Sequence, residues 1–190
     1  MKKTFLFLTL ILIGTPALCS SATTSTYIID AEKNAFEHNN KGILHAEEKN
    51  YYGAIQEFKI AISLNPQTQA TATYFNNLGK VYLTIGYPQL ALDCFQNSLT
   101  QYNLNFEYYQ NLVDCYEKLG ETETQLTNYK NKVDNEDNPF DKIILGLLYE
   151  KIGNHRKAIM TLDDFAMSEP DLMITPAIKY HIQEIVDKIL

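Results

Sequence analysis

An all-α stack of helical hairpins is the fold class this sequence predicts, and three observations predict it. The segments Leu78-Gly79-x-x-Tyr82 and Leu145-Gly146-x-x-Tyr149 share one spacing, and alignment on their glycine gives a column of Gly42, Gly79, Val113 and Gly146 at intervals of 37, 34 and 33 residues. Twelve and sixteen positions after that column come a small and a large residue: Ala54 and Phe58, Ala91 and Phe95, Ala158 and Leu162, with Gln125 and Tyr129 in the third copy. Gly86, Gly120 and Gly153 then stand where a helix must end in a left-handed residue and reverse. A period near 34 describes a unit that cannot bury its apolar face alone and has to stack on its neighbours.

The elements follow in order. Residues 1–22 read as a secretory signal peptide: Lys2 and Lys3 precede the apolar run Phe5 to Ile13, Gly14 and Pro16 break it, and Ser20-Ser21-Ala22 offers small residues for cleavage. That run is far shorter than the ~20 residues needed to span a bilayer. Cys19 offers a lipidation point that would tether the chain, although Leu18 stands where lipoprotein signals place a small residue. Residues 23–34 are an N-terminal lead-in, helical from about Tyr27 to Asn39 and continuous with the first repeat. Repeats occupy 35–68, 72–105, 106–138 and 139–172, with Pro66 and Pro170 closing the first and last.

Within each hairpin, glycine or alanine lets two antiparallel helices approach while a large side chain fills the space beside it. Val113 and Gln125 break that rule, so the second helix of the third copy is expected to be the softest in the array. Lys49 stands at the turn of the first copy, which is expected to turn less sharply. The run Asp134 to Asp141 reads as a solvated loop, because it lacks the mid-loop glycine and closing glutamate of a calcium-binding hand. Thr175-Pro176 starts a C-terminal capping helix in 173–190, with Ile178, Ile182, Ile185 and Ile189 on the face that covers the last repeat.

These columns resemble the tetratricopeptide repeat, over residues 35–172. The resemblance implies a right-handed solenoid of four helical hairpins whose first helices line a concave groove that binds segments of partner proteins. Carried over position by position, the column two before each glycine faces that groove and reads Asn40, Asn77, Asn111 and Ile144. Asparagines so placed offer donors and acceptors to a peptide backbone. Members that capture a terminal carboxylate carry Lys or Arg at several groove positions; here those places hold Asn39, Ile43, Asn77, Glu107 and Asn111, so only Asn77 fits and the clamp is absent. The fourth repeat instead offers Phe140, Ile143 and Leu147 on one face, either as core or as an apolar groove patch.

Chemistry beyond binding has little support in the residues. The chain lacks a glycine-rich phosphate loop, a Gly-x-Ser-x-Gly elbow and a His-Glu-x-x-His pair. His38 and His45 fall on one helical face, but His45 occupies the aromatic packing column, so no metal and no cofactor is expected. Removal of 1–22 takes away two lysines and no acid, which leaves a net charge of -9 and argues against nucleic acid. Cys94 and Cys115, on consecutive helices, are read as small buried hydrophobes, with a disulfide open to an oxidising compartment. The expectation is a non-catalytic protein-binding module in the cell envelope, most simply the periplasm. The alternative is a membrane-tethered assembly or chaperone factor for exported proteins, favoured if Cys19 is lipidated.

Overall fold

The computed structural model describes residues 21–189; residues 1–20 of the leader, Cys19 among them, lie outside the described residues. Among the described residues all regular structure is helical, in nine elements: α1 (Ser21–Glu47), α2 (Tyr51–Leu64), α3 (Gln69–Thr84), α4 (Pro88–Gln101), α5 (Phe106–Leu119), α6 (Thr122–Asn135), α7 (Asp141–Lys151), α8 (His155–Ser168) and α9 (Thr175–Ile189). Successive helices pair as antiparallel hairpins that stack into a solenoid, and α9 follows the last hairpin. No described helix is long and apolar enough to cross a membrane.

The glycine column sets how closely three hairpins pack. A methyl group added at Gly42 would sit 2.6 Å from the ring of Phe58, at Gly79 2.6 Å from the ring of Phe95, and at Gly146 2.6 Å from Leu162. Each large side chain therefore lies directly on bare backbone of the facing helix, and Ala54, Ala91 and Ala158 are fully buried beside it. The third hairpin has Val113 on the column, and a branched side chain where the others carry hydrogen holds the helices apart. α5 consequently meets α7 more extensively than its own partner α6. Gln125 stays half-buried, its amide bonded to Glu121 at 3.1 Å instead of entering the seam.

All four hairpins turn alike, which corrects the expectation at Lys49. Lys49 adopts φ 60°, beside 85° at Gly86, 71° at Gly120 and 76° at Gly153. Its turn closes with the same pair of bonds: Asn50 N to His45 O at 2.8 Å and Lys49 N to Ala46 O at 3.0 Å. Those bonds satisfy the last carbonyls of α1 and hold a lysine in a region that costs a side chain ~1–2 kcal/mol. The acidic loop is also shorter than expected, since Asp134 and Asn135 finish α6 and Asp141 begins α7. Asp141 is buried, and that burial raises its carboxyl above the usual range despite Lys132 nearby.

α9 starts where Thr175-Pro176 indicates, with Thr175 Oγ1 donating to the Glu169 carbonyl at 2.5 Å. Its buried face is rotated from the all-isoleucine stripe: Thr175, Ile178, His181 and Ile185 point inward, Ile182 is partly covered, and Ile189 is half exposed. Cys94 and Cys115 are both free and buried. Burial pushes their thiols up, to about 12 and about 11 respectively, and Cys115 donates to the Pro88 carbonyl at 3.0 Å.

Candidate partner-binding groove

The asparagine column forms, but it spends its amides within the chain. Asn77 Nδ2 donates to Asn39 Oδ1 at 2.9 Å, tying α3 to α1, and Asn111 Nδ2 donates to Asn76 Oδ1 at 2.8 Å, tying α5 to α3. Asn39 and Asn76, one position before the column, are buried. These first helices are parallel and expose no backbone polar groups to one another, so side-chain amides are what can bond them laterally. Lys80 reinforces the second joint by donating to Glu107 at 2.9 Å. Partial burial opposes charge on Glu107, yet Lys80 and the amides of Asn111 and Asn76 hold its carboxyl below the usual range. Asn40 is exposed.

The apolar features of the groove change places relative to the sequence expectation. Ile143 is fully buried and Leu147 is 4% exposed, so both belong to the core. The cause is that α7 packs against α5, α6 and α8, in one apolar cluster that also takes in Ile178 and Ile185 of α9. Phe140 is half-buried, its ring 5.9 Å from that of Phe165. At the other end, on α1, Phe36 is 59%, Leu44 53% and Ile43 37% exposed. Ile43 borders an open depression of 360 Å³ whose floor includes Tyr51, Phe58 and Val81 and whose rim carries Asn77 and Lys80.

At the C-terminal end lies a charged cleft of 570 Å³ between α5, α7 and α9. Lys151 is held there by Asp114 at 2.6 Å and Glu117 at 2.8 Å. Burial acts against its charge, but the two carboxylates prevail and raise its pKa. His181 Nε2 donates to Glu150 at 2.7 Å, its Nδ1 lies 3.4 Å from Glu184, and its ring stacks at a tilt 5.2 Å from Phe106. Burial disfavours the imidazolium; Glu150 and then Glu184 more than offset this, so His181 is raised while Glu150 is lowered. His181 was not singled out from the sequence. Its one signal was position, three residues after Ile178 and four before Ile185, which is the inward face of a helix.

The two N-terminal histidines do not converge. His38 Nδ1 lies 2.6 Å from Glu57 on α2, whereas His45 lies 3.7 Å from Glu48 on its own helix. Among the described residues, no group of three or more His, Cys, Asp or Glu is placed to hold a metal ion.

No family model matches the chain, and no curated protein matches it in sequence. Solved structures match in shape. A tetratricopeptide repeat protein from Parabacteroides merdae ATCC 43184 aligns with a TM-score of 0.50 at 20% identity, covering 82% of this chain, which spans 61% of the length of that protein. MamA aligns with a TM-score of 0.48 at 20% identity, over 82% of this chain and 87% of its own. YrrB, described as a TPR protein with an unusual peptide-binding site, aligns with a TM-score of 0.45 at 19% identity, over 86% and 87%. The likeness at this level of identity is one of fold, and the fold is an all-α tetratricopeptide-type solenoid with a C-terminal helix.

Proposed function

We propose that this tetratricopeptide-type solenoid is a non-catalytic protein-interaction module that takes a peptide or helix of a partner protein in its concave groove. The observation that carries the reading is Ile43, exposed on α1 along with Phe36 and Leu44, which lines an open depression edged by Asn77 and Lys80. An exposed apolar side chain in a concavity with a polar rim is what a partner's apolar residues require. Burying one such side chain contributes ~1.5–3 kcal/mol. A net hydrogen bond contributes only ~0.5–1.5 kcal/mol, and the amides of Asn77 and Asn111 are already bonded within the chain.

The site of action in this proposal is the cell envelope, supported by the features of residues 1–22. N-terminal sequencing of the exported protein should begin at or near Thr23; a membrane-bound form acylated on Cys19 would replace the soluble reading with the tethered one. For binding, the tagged chain is crosslinked in envelope fractions and its partner captured. Ile43→Asp with Phe36→Ser should remove capture, while Asn77→Ala with Asn111→Ala should weaken it less, both checked for folding by circular dichroism. Normal capture by the Ile43/Phe36 variant would defeat this assignment of the groove.

A further inference from the structure

Methionine is among the residues that protein interiors take in most often, because its flexible thioether fills irregular gaps. This chain keeps it out of the core. Of its four methionines, Met1 opens the leader, and the other three, Met160, Met167 and Met173, fall within one short stretch of sequence. They are 61%, 73% and 75% exposed, while the buried apolar core of the described residues is built from Leu, Ile, Val, Phe, Tyr, Ala and Cys. The helix explains the first two. Met160 and Met167 are seven residues apart on one face of α8, and Ala158, Leu162, Phe165 and Ala166 form its opposite, buried face. Met173 stands in the connection between α8 and α9.

The cysteine sulfurs of the described residues are placed in the opposite way. Cys94 and Cys115 are free and buried. Cys115 donates to the Pro88 carbonyl, and burial pushes both thiols up, away from the thiolate form that reacts with peroxides. A thioether has no proton to lose, so access alone governs its oxidation. Access is what the three methionines have and the two cysteines lack.

We propose that Met160, Met167 and Met173 are a site of reversible oxidation, at which hydrogen peroxide converts the three thioethers to sulfoxides while the solenoid stays folded. A sulfur lone pair attacks one peroxide oxygen, the O–O bond breaks as the S–O bond forms, and the departing hydroxide takes the proton left on the transferred oxygen and leaves as water. Each sulfur loses two electrons, and one peroxide is reduced to one water. The reverse step belongs to a methionine sulfoxide reductase, which draws two electrons from a dithiol and releases the oxygen as water.

The fold survives because of where the new oxygens lie. Oxidation of a buried methionine sets a polar group among apolar side chains and breaks their packing. Here each sulfoxide is hydrated, and α8 keeps its buried face. What changes is the outer face of α8 and the connection after it, from apolar to polar. None of the three residues lines the depression beside Ile43, so the site is independent of the groove reading.

The test treats the purified full chain with hydrogen peroxide and maps its peptides by mass. Met160, Met167 and Met173 should each gain one oxygen at a rate within about tenfold of that of a short, unstructured methionine peptide. Cys94 and Cys115 should remain open to alkylation once the treated chain is unfolded, and the melting temperature followed by circular dichroism should fall by less than about 5 °C. Methionine sulfoxide reductase with a dithiol should return all three peptides to their original mass. Slower oxidation than that at any of the three methionines overturns the site as drawn, as does consumption of Cys94 or Cys115 ahead of them. A larger fall in melting temperature overturns the claim that the fold is spared, and sulfoxides that the reductase leaves in place overturn its reversibility. No arm depends on a variant that has to fold.

Discussion

The second and third hairpins use helices of the same length for α4 and α6, 14 residues each, and pack differently because of two columns. In the second, Gly79 and Ala91 leave the space that Phe95 fills, and α3 and α4 lie close along their whole length. In the third, Val113 and Gln125 occupy both of those places. α6 contributes only Leu126 and Tyr129 to the core, whereas α4 contributes Ala91, Leu92, Cys94, Phe95 and Ser98. α5 recovers the missing burial by leaning on α7. A repeat array therefore tolerates a poor unit when the next unit can take up its apolar face, and the loosened helix is left with few tertiary partners.

That contrast is best attacked first at its strongest point. Phe95→Ala should destabilise the chain by ~3–5 kcal/mol, because it empties the space over Gly79 and little around a bare backbone can collapse into it. Urea unfolding should show this as a large fall in midpoint. A loss below about 1 kcal/mol would mean the second hairpin is no better packed than the third. Importing the third repeat's residue by Gly79→Val should cost ~1–3 kcal/mol from overpacking against the Phe95 ring. If it costs nothing, the valine at 113 is not what separates α5 from α6.

A gentler probe compares the helices without altering them. Amides of α6 should exchange at least about tenfold faster than those of α4, reflecting a local opening cheaper by ~1.4 kcal/mol or more. Equal protection would show that α6 is held by contacts beyond its two buried residues. The smallest effect is expected at the first turn. Lys49→Gly should stabilise by ~0.5–1 kcal/mol, since relief of the left-handed lysine exceeds the added freedom of the unfolded chain. An unchanged or lowered melting temperature would show that the turn at Lys49 is unstrained.

Much of this architecture was legible before any coordinates, and for a definite reason. Hairpin packing is governed by residues at fixed separations along one chain, so Gly42 to Phe58, Gly79 to Phe95 and Gly146 to Leu162 announce a close contact in the sequence itself. The left-handed turns at Gly86, Gly120 and Gly153 are local too, as is the start of α9 at Thr175-Pro176. Lys49 was the local misreading: the pair of backbone bonds that closes the turn can hold a residue in a conformation that its own preference resists.

The groove followed another logic. Which of two half-apolar faces is covered depends on what lies across from it, and that distance is not written in the spacing of residues. Ile143 and Leu147 read as groove or as core until both were seen to be buried in the main apolar cluster, and Asn77 and Asn111 read as free donors until Asn39 and Asn76 were seen to accept from them. The sequence alone determined the repeat, its turns and its closing helix, because these arise from contacts within about one period of the chain. Only the tertiary structure decided that Phe36, Ile43 and Leu44 stay exposed while Ile143 and Leu147 are buried, and that His181 and Glu150, 31 residues apart, are bonded to one another.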